Sequence, residues 1–291
     1  MIEISFKRKI EGMKKVIVIV LVIIGLLFYP LYTSYYHLDV TLYEIESEKI
    51  SEEVNIVVIS DVHDEHCKIK EKIIQKIEEL KPDLILCVGD IIDDTSSDDQ
   101  STIDFITSLV QIAPVYYSIG NHEDTFYKDQ EEMEIYEQIG AVVLNQDYVD
   151  LEINGQQIRL GGLYNYAFDT YKGKIDGDSM HHNAVWKFLD EYCDTDSFKL
   201  MMAHRPDSFI FGDAKDWDLD LCVSGHYHGG QVILPVIGGL FAPELGWLPE
   251  ITYGSYQLGS FTMLVTRGIS SSKETLPRYN NPCEIMQVIL K

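Results

Sequence analysis

The alternation of short apolar runs with amphipathic segments between residues 54 and 139 most constrains how this chain can fold. Each apolar run is followed by a polar loop and then by apolar residues spaced three or four positions apart, as in a helix. Strands are predicted at 54–59, 84–88 and 115–119, and helices at 69–80, 103–110 and 131–139. Strands that alternate with helices favour a largely parallel sheet covered by helices, and hence an α/β fold.

The rest of the chain continues the strand pattern. Alternation of apolar and polar residues at 37–46 indicates an edge strand, and Asn154-Gly155 is typical of a hairpin turn. A loop at 231–259 rich in Gly, Pro and aromatic residues is expected to be a lid or a membrane-facing flap. Further strands are predicted at 147–153, 156–162, 200–203, 219–223, 261–266 and 285–290, and a helix at 182–192.

An uninterrupted apolar run at 16–29 follows a basic N-terminal segment. A helix extended from this run through Pro30 to Tyr36 would be about 31 Å long, which matches the roughly 30 Å hydrocarbon core of a bilayer. No small-residue cleavage pattern follows the run, so we expect an uncleaved anchor, and the preceding positive charges place the N-terminus inside the cell. The predicted division is a basic cytoplasmic N-terminus at 1–15, a single-pass transmembrane anchor in the cell membrane at 16–36, and an extracellular domain at 37–291.

The charge balance excludes one class of partner. The chain has 47 acidic and 23 basic residues, a net charge of −24. Such a surface repels nucleic acid, so no nucleic-acid partner is expected and an extracellular nuclease is disfavoured. The five cysteines are widely spaced with no CxxC, which favours free thiols over a disulfide framework or a zinc ribbon.

Side chains that can bind metals follow five of the predicted strands. In order these are Asp61 and His63, Asp90 and Asp93, Asn121 and His122, His204, and finally His226 with His228. Sites in open α/β sheets form at the carboxyl ends of the strands. Because carboxylates and imidazoles buried together without a cation would be costly, we expect two divalent cations there. Such mixed nitrogen and oxygen ligation suits Mn, Fe or Zn.

The motifs as a set resemble the calcineurin-like metallophosphoesterases. The resemblance lies in Asp61-x-His63, Gly89-Asp90-x-x-Asp93, Gly120-Asn121-His122-Glu123, His204 and Gly225-His226-x-His228, in this order. GHYHGGQVILP at 225–235, TRGIS at 266–270, LPR at 276–278 and EIMQVIL at 284–290 resemble the membrane-associated bacterial branch. The resemblance implies a four-layer α/β/β/α sandwich with the metal site at the C-terminal ends of the strands.

The same resemblance implies roles for the site residues. One metal would be bound by Asp61, His63 and His228, the other by Asn121, His204 and His226, with Asp90 bridging the two. His122 would donate a proton to the leaving group, and Asp93 would orient that imidazole. The implied reaction is hydrolysis of a phosphoester by in-line attack of a metal-bridged hydroxide.

Departures from the family pattern bear on the substrate. Protein Ser/Thr phosphatases of this superfamily carry Arg where this chain has Asp94, and the added acid favours a phosphodiester or a pyrophosphate over a more anionic monoester. The anchor makes a lipid-linked or cell-envelope phosphate a candidate substrate. Arg267 and Arg278 could bind substrate phosphate, with structural salt bridges as the alternative, and His66 matches no motif and is expected at the surface.

A non-catalytic scaffold or binding module of the same fold is the competing function. Such scaffolds typically lose metal ligands or the catalytic histidine, whereas this chain has a candidate residue at every motif position.

Overall fold

The computed structural model of the protein describes residues 2–127, 133–163, 180–211, 217–243, 245–271 and 276–291, with backbone alone at 2–10, 180–183 and 211. The helices are α1 (Ile2–Tyr36), α2 (Lys70–Leu80), α3 (Gln100–Val110), α4 (Asn121–Phe126), α5 (Glu134–Gln138), α6 (Met180–Cys193) and α7 (Asp207–Phe211). The first nine strands are β1 (Leu38–Ile45), β2 (Val54–Ile59), β3 (Leu84–Val88), β4 (Val115–Ser118), β5 (Val142–Leu144), β6 (Asp147–Ile153), β7 (Gln156–Gly162), β8 (Phe198–Met202) and β9 (Leu221–Ser224). The remaining strands are β10 (Ile233–Leu234), β11 (Gly238–Gly239), β12 (Phe241–Ala242), β13 (Gly246–Trp247), β14 (Gly254–Leu258), β15 (Phe261–Val265) and β16 (Cys283–Leu290).

Twelve of the strands form two six-stranded sheets. The first has the order β1-β16-β2-β3-β4-β5, and its strands are parallel except at the β16–β2 pair. The second has the order β14-β15-β9-β8-β7-β6, with antiparallel pairs only at its two outer positions. Strand and helix alternation favoured one largely parallel sheet. The strands instead divide between two mixed sheets, because alternation predicts parallel pairing without indicating which sheet a strand joins.

The two sheets stack face to face through apolar side chains. Both faces of the central strands are therefore covered, which explains why their sequences are continuously apolar rather than alternating. The buried side chains between the sheets include Ile56, Val58, Leu86, Leu160, Leu200, Val223 and Leu264. Helices α2 and α3 cover the first sheet with Ile73, Ile77, Phe105 and Ile106, and α6 covers the second with Val185, Leu189 and Tyr192. The four-layer α/β/β/α arrangement is confirmed.

Most predicted elements are present with small shifts at their ends. The hairpin at 147–153 and 156–162 has the predicted bounds, and β1 is an edge strand as expected. The helix expected at 131–139 is described only as α5, and residues 131 and 132 lie outside the described part of the chain. The loop at 231–259 contains two short hairpins, β10–β11 and β12–β13, which the sequence pattern did not indicate.

Helix α1 runs without a break through the basic segment and the apolar run. Its segment Glu11–Tyr36 has a mean hydropathy of 2.6 in its most apolar window and is long and apolar enough to cross a bilayer. No part of that window is buried against the domain.

The last turns of α1 are held by hydrogen bonds to the segment before β16. The amide of Asn281 donates to the buried hydroxyl of Ser34 (3.0 Å), and the amide of Arg278 donates to the Tyr35 hydroxyl (3.2 Å). The amide of Asn280 donates to the Pro30 carbonyl (3.4 Å). These contacts set the direction in which α1 leaves the domain.

Candidate metal centre

Loops after β2, β3, β4, β8 and β9 meet where the carboxyl ends of the two sheets come together. Backbone hydrogen bonds join these loops: the Asp61 amide donates to the Gly89 carbonyl (3.1 Å) and the Gly225 amide donates to the His204 carbonyl (2.9 Å). The His226 amide donates to Asp61 Oδ1 (3.0 Å), which joins one sheet to the other. Six of the seven predicted ligands are buried, and Asn121 is partly exposed. The six are Asp61, His63, Asp90, His204, His226 and His228.

The predicted ligands form two three-residue groups. One contains Asp61, His63 and His228, and the other contains Asp90, His204 and His226. Within each group the candidate ligand atoms all lie within 4.8 Å of one another. A third group of the same kind contains His63, Asp93 and His122. Asn121, which the resemblance implied as a further ligand, is the first residue of α4.

Several polar atoms in this region are buried without a hydrogen-bond partner among the described residues. They include Nε2 of His63, Oδ2 of Asp90, Oδ2 of Asp93, Oδ1 of Asn121 and Nε2 of His204. His204 Nε2 lies 3.1 Å from Asp90 Oδ2, but the pair lacks hydrogen-bond geometry. Buried polar atoms are normally paired, so a cluster of unsatisfied nitrogen and oxygen lone pairs fits a divalent cation.

Two of the histidines have a defined tautomer. Nδ1 of His204 lies 2.9 Å from the Val88 carbonyl, and Nδ1 of His228 lies 3.1 Å from the Ser270 carbonyl. Because a carbonyl only accepts, each Nδ1 carries a proton, and the neutral ring has its lone pair on Nε2. Outer hydrogen bonds of this kind orient metal-binding histidines.

These contacts and burial shift the pKa values of His204, Asp90 and His63. Burial alone would lower the pKa of His204, but the adjacent Asp90 carboxylate raises that pKa to about 10. Burial alone would raise the pKa of Asp90, yet His204 and the nearby imidazoles hold it well below its ordinary value. Burial lowers the pKa of His63 and keeps that ring neutral. A cation held by Asp90 and His204 would therefore take the place of a proton on His204.

The backbone at the ligands is strained. Positive φ angles are rare for residues other than glycine and cluster at functional sites, where the surrounding structure maintains them. Such angles occur at Asp61 (53°), His63 (43°), Asp90 (53°), His226 (69°) and His228 (45°).

Two motif glycines allow the loops to approach closely. A Cβ atom on Gly225 would lie 2.0 Å from Ser60 Oγ and 2.4 Å from Asp61 Oδ2. A Cβ atom on Gly120 would lie 2.2 Å from Asp90 Oδ1. Both positions therefore exclude any side chain.

Glu123 is a site residue to which the sequence motifs assigned no role. Its buried carboxylate accepts hydrogen bonds from the amides of Asp90 (2.7 Å), Ile91 (2.8 Å) and Gly120 (2.9 Å), and from the Tyr117 hydroxyl (2.6 Å). Burial and the nearby Asp90 charge raise the pKa of Glu123. The carboxylate thus fixes the loop that presents Asp90. Its only sequence signal was its place directly after Gly120-Asn121-His122.

His122 and Asp93 lie beside the ligands, but their contacts differ from the expected pairing. Asp93 Oδ2 is 3.2 Å from His63 Nδ1 and 3.8 Å from His122 Nδ1. The amide of Asp94 donates to His122 Nδ1 (3.0 Å). Because Nδ1 accepts this bond, the neutral His122 ring carries its proton on Nε2, which lies 3.9 Å from Asp90 Oδ2.

Asp93 remains ionised in this position. Burial alone would raise its pKa, but the nearby His63 imidazole (3.2 Å) and hydrogen bonds from Thr95 bring the pKa below its ordinary value. His66, which was expected at the surface, lies at the rim of the site, with Nε2 3.6 Å from Asp93 Oδ2 and one third of its side chain exposed (33%). No motif marked His66, because its position follows from the turn after His63.

The two arginines considered for phosphate binding are engaged within the protein. Arg267 pairs with Asp39 (3.0 Å) and Glu284 (3.2 Å), as the salt-bridge alternative expected. Arg278 is fully buried and donates to backbone carbonyls, including those of Arg267 (2.9 Å) and Ser270 (3.2 Å). Since the Ser270 carbonyl also accepts from His228, Arg278 supports the orientation of that ligand.

The chain is similar in sequence to curated proteins whose names describe metallophosphoesterases or a phosphodiesterase. The chain is 27% identical over 254 residues to the metallophosphoesterase YkuE of Bacillus subtilis, covering 84% of this chain and 83% of that protein. It is 28% identical over 196 residues to the phosphodiesterase YaeI of Escherichia coli, covering 66% of this chain and 65% of that protein. It is 26% identical over 259 residues to a Danio rerio transmembrane protein with a metallophosphoesterase domain, covering 85% of this chain and 56% of that protein.

The family model described as calcineurin-like phosphoesterase matches residues 54–230. That match covers more than half of the 291 residues and includes every motif from Asp61 to His228. The same residues form the buried groups of metal-binding side chains. The chain therefore belongs to the calcineurin-like phosphoesterases.

Proposed function

We propose that this protein is a membrane-anchored metallophosphoesterase with two divalent cations that hydrolyses a phosphodiester or a pyrophosphate. The observation that carries the proposal is the pair of buried ligand groups, Asp61-His63-His228 and Asp90-His204-His226, with His122 beside them. The groups contain unsatisfied lone pairs and defined tautomers, as a metal site requires.

The first group would hold one cation, and the second group with Asn121 would hold the other. Asp90 is the residue suited to bridge them, because Oδ1 accepts from the His122 amide (2.8 Å) while Oδ2 lacks a hydrogen-bond partner in the described chain. When bound, divalent cations polarise phosphate oxygens and lower the pKa of water. Mn, Fe and Zn all suit the donor set, and manganese is the first ion to test.

His122 would supply the proton that the leaving oxygen needs. In the neutral ring Nδ1 accepts from the Asp94 amide and Nε2 carries the proton. To act as the acid, His122 would be the imidazolium, with its second proton on Nδ1 facing the carboxylates of Asp93 (3.8 Å) and Asp94 (3.3 Å), which would stabilise that charge. Transfer of the Nε2 proton to the leaving oxygen would then leave the ring neutral. The carboxylates of Asp93 and Asp94 would disfavour a dianionic monoester.

The name of the Escherichia coli relative, a phosphodiesterase, supports the diester assignment. The anchor makes a lipid-linked or cell-envelope phosphate the candidate substrate. A non-catalytic scaffold is the competing function, and it gains no support from the described residues, because each ligand position and His122 hold a side chain able to take its role.

Membrane anchoring is the second part of the proposal. The span Glu11–Tyr36 is exposed and strongly apolar, and the Danio rerio relative is named as a transmembrane protein. Five Lys and Arg residues among the first 15 favour a cytoplasmic N-terminus, which places the phosphoesterase domain outside the cell membrane.

The catalytic role of His122 predicts a rate effect without loss of metal. The full chain in detergent with manganese should hydrolyse bis-p-nitrophenyl phosphate faster than p-nitrophenyl phosphate. His122→Ala should lower kcat for the diester by about 10²- to 10⁴-fold, because the leaving group loses its proton donor. His37→Ala, at an exposed histidine paired with Asp39, is the matched control and should retain the parent rate. A parent rate in His122→Ala would exclude the proposed acid.

Metal content tests the ligand assignment independently of turnover. Elemental analysis of the full chain purified with manganese should find two ions per chain, and Asp90→Asn should lose at least one, because it removes the proposed bridging charge. Asp98→Asn, an exposed acid on the loop that follows β3, should keep both ions. A parent protein without tightly bound metal would overturn the proposed function.

The contacts of Glu123 predict a loss of stability as well as of metal affinity. Glu123→Gln replaces one of two carboxyl oxygens that accept buried hydrogen bonds with an NH2 group, which only donates. We expect the free energy of unfolding to fall by about 1.5–3 kcal/mol, measured by denaturant titration in detergent, with weaker manganese binding. Glu134→Gln, at an exposed residue of α5, should change stability by less than about 0.5 kcal/mol. Equal stability of the two variants would contradict the positioning role of Glu123.

The proposed orientation predicts that external protease reaches the domain. In intact cells with the outer face of the membrane accessible, added protease should remove the domain and leave a small fragment containing α1. A cytoplasmic protein detected in the same sample controls for lysis. Complete protection of the domain, with cleavage appearing only after permeabilisation, would reverse the topology.

A further inference from the structure

The loop between the metal centre and β14 exposes an unusual set of apolar side chains. We define residues 233–248, which contain the hairpins β10–β11 and β12–β13, as the flap. Beyond α1, six large apolar residues of the described chain are at least 40% exposed, and four of them lie in the flap. These four are Val236, Ile237, Trp247 and Leu248. Patches of this kind usually mark a contact surface.

The tip of the first hairpin is held in a costly conformation. Val236 is fully exposed and has a φ of +72°, which is exceptional for a β-branched residue. Leu248 also has a positive φ, at +54°. Contact of an apolar side chain with water does not offset the cost of a strained backbone, whereas burial of that side chain would. The placement of these residues therefore indicates an apolar environment on that side of the flap.

The flap lies beside the point where α1 leaves the domain. The Asn280 amide donates to the Pro30 carbonyl (3.4 Å), and the Asn280 side chain donates to the Ile233 carbonyl (2.9 Å). One residue therefore contacts both α1 and the start of the first hairpin. The rings of Tyr32 and Tyr36, in the last turns of α1, stack on each other with 5.0 Å between their centroids. Tyrosines at the end of a membrane span mark the bilayer interface.

The flap also packs on the metal-binding loop. The Leu240 amide donates to the Gly230 carbonyl (3.1 Å), and Gly230 lies so close to Gly239 that a Cβ atom on it would be 2.5 Å from the Gly239 Cα. Gly230 ends the helical turn that begins at the ligand His228. The interfacial end of α1, the flap and the metal centre are thus contiguous.

We infer that the flap is a second membrane contact, in which Val236 and Ile237 of the first hairpin and Trp247 and Leu248 beside the second enter the interfacial region of the bilayer. The contact would be apolar rather than electrostatic, because residues 233–248 contain one acid, Glu244, and no Lys or Arg. This inference rests on the membrane anchoring proposed above. The flap contact would hold the metal centre at the lipid surface, where the phosphate of an amphipathic substrate lies.

The test uses the full chain reconstituted into phosphatidylcholine vesicles with or without brominated acyl chains, which quench tryptophan on contact. Trp247 is one of three tryptophans, and the other two, Trp186 and Trp217, contact each other (5.5 Å). The fluorescence of Trp247 is the difference between the emission of the parent and that of Trp247→Phe. Brominated vesicles should strongly quench this fluorescence, and added salt should leave the quenching unchanged. Unquenched Trp247 emission would overturn the contact at the second hairpin.

The first hairpin is tested by its own reporter. Ile237→Trp in the Trp247→Phe background should add emission that brominated lipid quenches, and an unquenched reporter there would overturn the contact at this hairpin. Leu42→Trp in the same background is the matched control, since Leu42 is similarly exposed on β1 (55%, against 63% for Ile237) and should remain unquenched. Quenching of the Leu42 reporter as well would overturn the assignment to the flap.

Vesicle flotation and diester hydrolysis separate this inference from the proposed function. A chain that does not float with vesicles overturns the anchoring and the flap contact with it. A chain that floats but has unquenched reporters overturns the flap contact alone. Quenched reporters in a protein that does not hydrolyse bis-p-nitrophenyl phosphate support the flap contact and contradict the proposed activity.

Discussion

Hydrogen bonds that cross from one sheet to the other at their carboxyl ends are the constraint on which the site depends. His204, which follows β8 in the second sheet, contacts the Val88 carbonyl at the end of β3 in the first sheet (2.9 Å). Asp61, after β2, accepts from the amide of His226, after β9 (3.0 Å). These contacts hold carboxylates and imidazoles at fixed separations in a buried region. A divalent cation would satisfy them, since it neutralises carboxylates and accepts imidazole lone pairs.

The same edge of the fold joins the site to α1. The Ser34 hydroxyl accepts a hydrogen bond from the Asn281 amide (3.0 Å), and the Asn281 side chain donates to the His228 carbonyl (2.7 Å). Arg278, whose amide donates to the Tyr35 hydroxyl, donates to the Ser270 carbonyl that orients the His228 ring. A single short segment before β16 therefore contacts both the helix and a metal ligand. The orientation of the proposed anchor and the geometry of one ligand group are mechanically linked.

The candidate ligands could be proposed from sequence because their chemistry is local. Each follows an apolar run directly, and parallel strands place their carboxyl ends along one edge, so residue type and spacing were sufficient to predict a metal site. The supporting residues were not accessible in this way. Glu123 acts through hydrogen bonds to a loop some thirty residues earlier, and Ser270, Arg278 and Asn281 act on His228 from forty to fifty residues later. Glu123, Ser270 and Arg278 stand in motifs quoted above, but a motif does not show which distant group each of them contacts.

The sequence by itself determined most of the longer strands and helices of the domain, the apolar α1 segment and the identity of the side chains at the strand ends, because hydrophobic periodicity and residue chemistry act over a few positions. Only the tertiary structure decided which strands join which sheet, that Asp93 lies closer to His63 than to His122, and that Arg278 is buried among carbonyls. It also decided that the flap meets α1 through Asn280. The physical reason is that side-chain distances across the interface between sheets depend on strand order and on loop packing, which are properties of the assembled core.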